Sequence, residues 1–122
     1  NFEVILLCWS AGQESPIHDH SGQRCWMSVL QGGVEETYYY QTNDTSLIKG
    51  NIHLHCQGEA SFIADEIALH KIRPAFGSAV TLHIYSKPIE RSSIYSPTTG
   101  SITQHQAGFF SKYGRKMNDV QA

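Results

Sequence analysis

Residues 12–32, GQESPIHDHSGQRCWMSVLQG, hold the pattern on which the fold and the site both turn: Gly12, then His18-Asp19-His20, then Cys25, then Gly32. Side chains of an extended strand alternate between its two faces, so His18 and His20 share one side and both imidazoles can reach one ion. Gly12 and Gly32 bracket the pair where turns are needed. Pro16, two residues ahead of His18, fixes a backbone angle and removes a donor, as suits a sheet edge. The stretch is expected to be a β-hairpin that carries a metal site.

A third ligand must come from elsewhere, and His53, His55, His70, His83 and His105 are the choices. Residues 62–70, Phe62-Ile63-Ala64-Asp65-Glu66-Ile67-Ala68-Leu69-His70, read as a strand, an acidic turn and a new strand opening on a histidine. Such a turn can present His70 to the first pair across a barrel. His53 and His55 also share one strand face, but polar odd positions (51, 53, 55) alternate with apolar Ile52 and Leu54, the pattern of a strand with one wet face. That pair is expected to be solvated. His105 lies among polar residues and is expected to be structural or exposed.

Neutral imidazoles with no carboxylate or thiolate leave a divalent ion its full charge and open positions, which favours anionic ligands from a substrate. Imidazole alone does not choose among zinc, copper, iron and nickel.

A chain of 122 residues makes one domain with one core. Its formal charge of −2 gives no basic footprint for nucleic acid and no polybasic anchor for a membrane, so small-molecule partners are expected. Three cysteines, Cys8, Cys25 and Cys56, have no paired short spacing, which argues against a disulfide scaffold or a thiolate zinc site and for a reducing cytoplasm. The apolar run from Val4 to Trp9 is too short to span a bilayer and has no signal-peptide flanks. Because the chain opens inside an apolar strand without a start methionine, an upstream segment is expected.

Short β-like runs recur between turn signals at 2–9, 17–20, 26–30, 34–41, 47–56, 60–64, 67–72 and 79–86. No sustained helical period intervenes, so an all-β barrel or sandwich is expected. Beyond Pro88 the pattern loosens, and that end is expected to be a covering segment and a polar tail. On the strand Thr81-Leu82-His83-Ile84-Tyr85, hydroxyl, imidazole and phenol line one face. Such a row can pass hydrogen bonds along and set a tautomer near a metal; it is equally the wet side of an ordinary strand. Cys25, five residues past the second histidine, is placed to fold back beside the metal, although lone cysteines are commonly inert core residues.

These residues resemble the cupins: 12–32 is similar to their first motif, with Cys25 where many place a glutamate ligand, and the His70 region to their second. Within that superfamily the chain resembles the type I cysteine dioxygenases of animals, from about Phe2 to about Gly114. The marks are Cys8-Trp9, His18-Asp19-His20, Cys25, Leu69-His70, Leu82-His83-Ile84-Tyr85-Ser86 and Ser111-Lys112-Tyr113-Gly114. The resemblance implies a cupin jelly-roll β-barrel over 1–114, a polar tail over 115–122, and a small helical N-terminal segment of the family that this chain lacks. It implies a monomeric, cytoplasmic non-haem Fe(II) oxidoreductase of cysteine catabolism that adds both atoms of dioxygen to L-cysteine, giving cysteine sulfinate. By the same resemblance His18, His20 and His70 bind iron, and Cys25 and Tyr85 form a thioether crosslink. Cys25, His83 and Tyr85 act in catalysis, and His83 and Tyr85 bind substrate, with Thr81 behind His83.

The chain departs from the family in several places. Thr81 stands for a usual serine and Ala68 for a usual glycine, and Ser92-Ser93 lies near a further pocket cysteine of mammalian members. The family's substrate-carboxylate arginine and a nearby tyrosine precede Asn1, and Arg24, Arg73 and Arg91 do not match that position. Rival expectations are a dioxygenase for 3-mercaptopropionate or cysteamine, and a non-catalytic metal- or sugar-binding cupin. Bacterial mercaptopropionate enzymes usually lack the crosslink cysteine, so Cys25 favours cysteine.

Overall fold

The structure, a computed structural model, describes residues 1–44 and 46–117. In chain order the strands are β1 (Glu3–Trp9), β2 (Ile17–His18), β3 (Cys25–Gln31), β4 (Gly33–Gln41), β5 (Leu47–Cys56), β6 (Ala60–Ile63), β7 (Leu69–Pro74), β8 (Ala79–Tyr85), β9 (Arg91–Tyr95), β10 (Ile102–Gln106), β11 (Ser111–Lys112) and β12 (Arg115–Lys116). Up to Tyr85 they follow the alternating runs of the sequence within a residue or two at most ends. The fold is all-β, as expected. Among the described residues no helix is long and apolar enough to cross a membrane.

The strands form a four-stranded sheet in the order β1-β8-β3-β6, a six-stranded sheet in the order β10-β9-β2-β7-β4-β5, and the small pair β11-β12. Every pairing is antiparallel. The two larger sheets meet through a core in which Met27, Val29 and Ala79 of one pack with Val34 and Ile72 of the other. A second cluster, Cys25, Ile63, Ala68 and Tyr85, lies toward the site. On the outer side of the four-stranded sheet, Val4, Ile84, Trp26 and Phe62 pair in one row, an apolar stripe with Val4 and Trp26 exposed.

Three expectations are corrected here. The histidine pair is not on a β-hairpin: β2 joins the six-stranded sheet between β7 and β9, whereas β3 joins the four-stranded sheet between β6 and β8. The chain changes sheets between them because residues 19–24 turn, with Gln23 N–H donating to His20 O at 2.9 Å. The region beyond Pro88 is more ordered than a covering segment, since β9 and β10 extend the six-stranded sheet. Their serine, threonine and glutamine content hides the strand pattern that apolar alternation revealed elsewhere. The alternation of β5 is real but inverted: Ile52 and Leu54 are exposed, while His53 and His55 turn inward and are half-buried. The expected tail over 115–122 contains β12, and its residues 118–122 lie outside the described residues.

The step from β3 to β4 carries the chain from one sheet to the other through one residue, Gly32. Its φ is +74°, and an added Cβ would lie 2.6 Å from the carbonyl oxygen of Ser78. Both the left-handed backbone and the lack of space require glycine. Gly32→Ala is expected to lower stability by about 1–3 kcal/mol, read as an earlier midpoint in urea unfolding; an unchanged midpoint would show that the crossing tolerates a side chain.

Candidate metal centre

His18 and His70 are direct cross-strand partners on β2 and β7. His20 lies two residues past His18, beyond the end of β2, and its ring turns back to the pair. Ring centroids of the three histidines are 4.6 to 5.2 Å apart. One ligand nitrogen from each lies within 4.8 Å of the other two.

What surrounds the rings decides which nitrogen is free. His18 Nδ1 is 2.8 Å from Pro16 O, and His70 Nδ1 is 2.7 Å from Glu36 Oε2. Both partners only accept, so both Nδ1 atoms carry the proton and both Nε2 atoms keep a lone pair. His20 Nε2 is 3.2 Å from His70 Nε2, and His20 Nδ1 is a buried polar atom with no hydrogen-bond partner. With Nε2 of His20 given to a metal ion, its proton sits on Nδ1 facing the Asp65 carboxylate at 3.7 Å. The donor set therefore fits a divalent ion bound by three Nε2 atoms, compatible with Fe(II).

Electrostatics favour neutral rings at His18 and His70. Burial, together with His70 and His20, holds His18 well below the ordinary histidine range. Burial also lowers His70, against the opposing pull of Glu36. Burial would raise the Glu36 carboxyl, but bonds from His70, Ser61 and His55 outweigh it and bring it down to about 2. Asp65 is likewise brought down to about 2, against burial, by bonds from His20 and from the Gly22 N–H.

Cys25, His83 and Tyr85 meet beside this cluster. Cys25 and Tyr85 are cross-strand partners on β3 and β8. His83 Nδ1 is 3.7 Å from Cys25 Sγ, and its ring stacks on Tyr85 at 6.2 Å between centroids. His20 and Tyr85 ring centroids are 6.1 Å apart, which joins this row to the histidine cluster. Burial pushes the Cys25 thiol up to about 12 and the Tyr85 phenol above its usual range. It brings His83 down to about 4, with His70 and His20 contributing. The polar face of β8 is thus the buried one, not the wet one.

Residues 1–98 match the family model of cysteine dioxygenase type I. The chain belongs to that family. Cysteine dioxygenase type 1 of Bos taurus is 32% identical over 119 residues, covering 94% of this chain and 60% of its own length. That of Homo sapiens is 31% identical over 117 residues, covering 93% and 58%. The chain thus spans about 60% of the length of these curated relatives. A sugar phosphate isomerase of a cupin superfamily from Silicibacter pomeroyi has a TM-score of 0.57 at 14% identity, covering 96% of this chain and 71% of its own. Oxalate decarboxylase of Lactobacillus farciminis gives 0.61 at 15% identity, covering 75% and 25%. At such identities the likeness speaks for the cupin-like fold alone.

All the residues expected at the site of a cysteine dioxygenase family member are brought together: His18, His20, His70, Cys25, Thr81, His83 and Tyr85. Of the other histidines, His105 is half-buried on β10, paired with Ser92, and stands apart from the cluster. Four residues that serve the site were given no role of their own by the sequence. Asp19 anchors the histidine loop: Ser93 N–H and the Tyr95 hydroxyl donate to its carboxylate at 2.8 and 3.2 Å. Asp65 accepts the backbone N–H of His20 at 2.8 Å. Glu36 holds His70, and its signal is that Val34, Glu36 and Tyr38 share one strand face, a carboxylate among large side chains. Trp9, the fourth, donates from Nε1 to Thr81 Oγ1 at 2.9 Å.

That last bond fixes the polarity of the row. Indole only donates, so the fully buried Thr81 hydroxyl must spend its own proton elsewhere, and His83 Nε2 is 2.8 Å away. His83 therefore accepts at Nε2 and carries its proton on Nδ1, toward Cys25. In long-range proton–nitrogen NMR spectra His83 is expected as the Nδ1–H tautomer, and Thr81→Val, which keeps the volume but removes the hydroxyl, is expected to give a mixture. A pure Nε2–H form in the unaltered protein would reverse the assigned polarity.

Proposed function

We propose that this chain forms the catalytic part of a thiol dioxygenase that converts L-cysteine and dioxygen to cysteine sulfinate at an Fe(II) site held by His18, His20 and His70. The barrel over 1–114 closes as a jelly roll, and the protein works as a cytoplasmic monomer. All three cysteines are free and two are exposed, which suits a reducing compartment. The observation that supports the activity most is the convergence of three imidazoles beside the row Cys25, His83 and Tyr85, in a member of this family.

When bound, Fe(II) supplies the Lewis acidity and redox chemistry that let dioxygen react with a thiolate. The ion's charge meets no carboxylate or thiolate ligand from the protein, so the pocket selects an anionic sulfur from the substrate. Both oxygen atoms end on that sulfur, RSH + O2 giving RSO2H, and no external reductant is needed. The neutral His83 directs its Nδ1–H into the pocket, where it donates to substrate or to the Tyr85 phenol. Its Nε2 is fixed by Thr81, so the ring cannot turn the proton away. Tyr85 stays protonated because burial opposes the phenolate, and it serves as a placed donor.

Cys25 and Tyr85 stand opposite each other as a thioether requires. The crosslink replaces the thiol S–H and one ring C–H with a C–S bond, and dioxygen is the oxidant that takes the two hydrogens.

The protein loaded with Fe(II) is expected to give cysteine sulfinate carrying two labelled oxygens from isotopic dioxygen. Unreacted thiol with iron bound, or equal turnover of 3-mercaptopropionate, would overturn the assignment to cysteine. Intact-mass spectra are expected to show a loss of two hydrogens that Cys25→Ser abolishes. His83→Leu is expected to lower kcat by about 10²–10⁴-fold, and an unchanged kcat would remove His83 from the mechanism.

A further inference from the structure

Glu36 is 1% exposed, yet it is ionised and takes three hydrogen bonds from three different strands. Its two oxygens divide the work. Oε1 accepts both His55 Nε2, at 2.9 Å from β5, and Ser61 Oγ, at 2.7 Å from β6. Oε2 accepts His70 Nδ1 alone, at 2.7 Å from β7. A carboxylate with one oxygen pinned from two sides cannot rotate about its last bond, so the other oxygen is held toward His70.

We propose that His55 and Ser61 are positioning residues for the three-histidine cluster: they lock Glu36 so that it fixes the tautomer and orientation in which His70 offers its Nε2 lone pair. This rests on reading that cluster as a metal site. His55 is no chance neighbour, for it turns inward from a strand whose Ile48, Ile52 and Leu54 are exposed, against the usual placement. Its side chain remains 15% exposed, so the buried carboxylate reaches the surface through this imidazole. Ser61 comes from the other sheet, so the lock also ties β6 to β4 at the level of the site. Glu36 supplies the one negative charge in direct contact with His70, which raises the basicity of that ring toward a cation.

The test is a competition titration of the metal-free protein with Fe(II) against a chromogenic chelator, with circular dichroism to confirm folding. Glu36→Gln is expected to weaken binding by about 10–100-fold, the usual effect of removing a partner behind a metal ligand. His55→Leu and Ser61→Ala are each expected to weaken it by about three- to tenfold, less than loss of the carboxylate itself. In the Glu36→Gln background neither is expected to have further effect, because both act through that carboxylate. Ser61→Thr, which keeps the hydroxyl, is expected to restore binding. The metal-free protein gives a second readout: His70 is expected as a pure Nδ1–H tautomer by NMR, shifting to a mixture in His55→Leu and Ser61→Ala. Folded variants with unchanged affinity and tautomer, or losses that add to that of Glu36→Gln, would overturn the proposal. Failure of the unaltered protein to bind Fe(II), with the His70 tautomer still dependent on His55 and Ser61, would instead retire the metal reading and leave only a structural lock.

Discussion

The pairing of His18 with His70 across β2 and β7 is the constraint on which the rest depends. β2 has only two residues, too few to hold a position by itself, and it is clamped between β7 on one side and β9 on the other. From that clamp the chain turns at residues 19–24, and the turn is fastened at Asp19 to β9 and at Asp65 to the turn before β7. Three imidazoles that repel any added positive charge among themselves are thereby held together, with the protons of His18 and His70 directed outward and their lone pairs inward.

Buried groups that are neutral in the protein but receptive to a cation define the chemistry of such a pocket. Burial depresses the imidazoles of His18, His70 and His83 and raises Cys25 and Tyr85. Behind the histidines stand two carboxylates, Glu36 and Asp65, each compensated by hydrogen bonds. A charged group buried without such compensation would cost more than the fold can supply. Two directed rows result: Trp9 to Thr81 to His83 to Cys25 on the four-stranded sheet, and His55 with Ser61 to Glu36 to His70 across both sheets.

The sequence made the strands up to Tyr85 legible because turn residues punctuate them and apolar residues alternate within them. The histidine cluster was legible for the same reason, since His18 and His20 lie two apart and His70 opens a strand. What the alternation of β5 could not reveal is which face is wet. His53 and His55 look like surface residues until a buried carboxylate on the strand next to that of His70 is known to need donors. Strands β9 and β10 were hidden by their polar composition, and with them the role of Asp19, whose partners Ser93 and Tyr95 lie on β9. Local pattern marks a strand; long-range partners such as Glu36 and His70, 34 positions apart, emerge only with the register.

The central claim is that one divalent ion is held by His18, His20 and His70. Calorimetric titration of the metal-free protein with Fe(II) under anaerobic conditions tests it most directly. One ion per chain is predicted for the unaltered protein, with binding lost when any of the three histidines is replaced by alanine. No saturable binding, or a stoichiometry of one that survives all three single replacements, would contradict it.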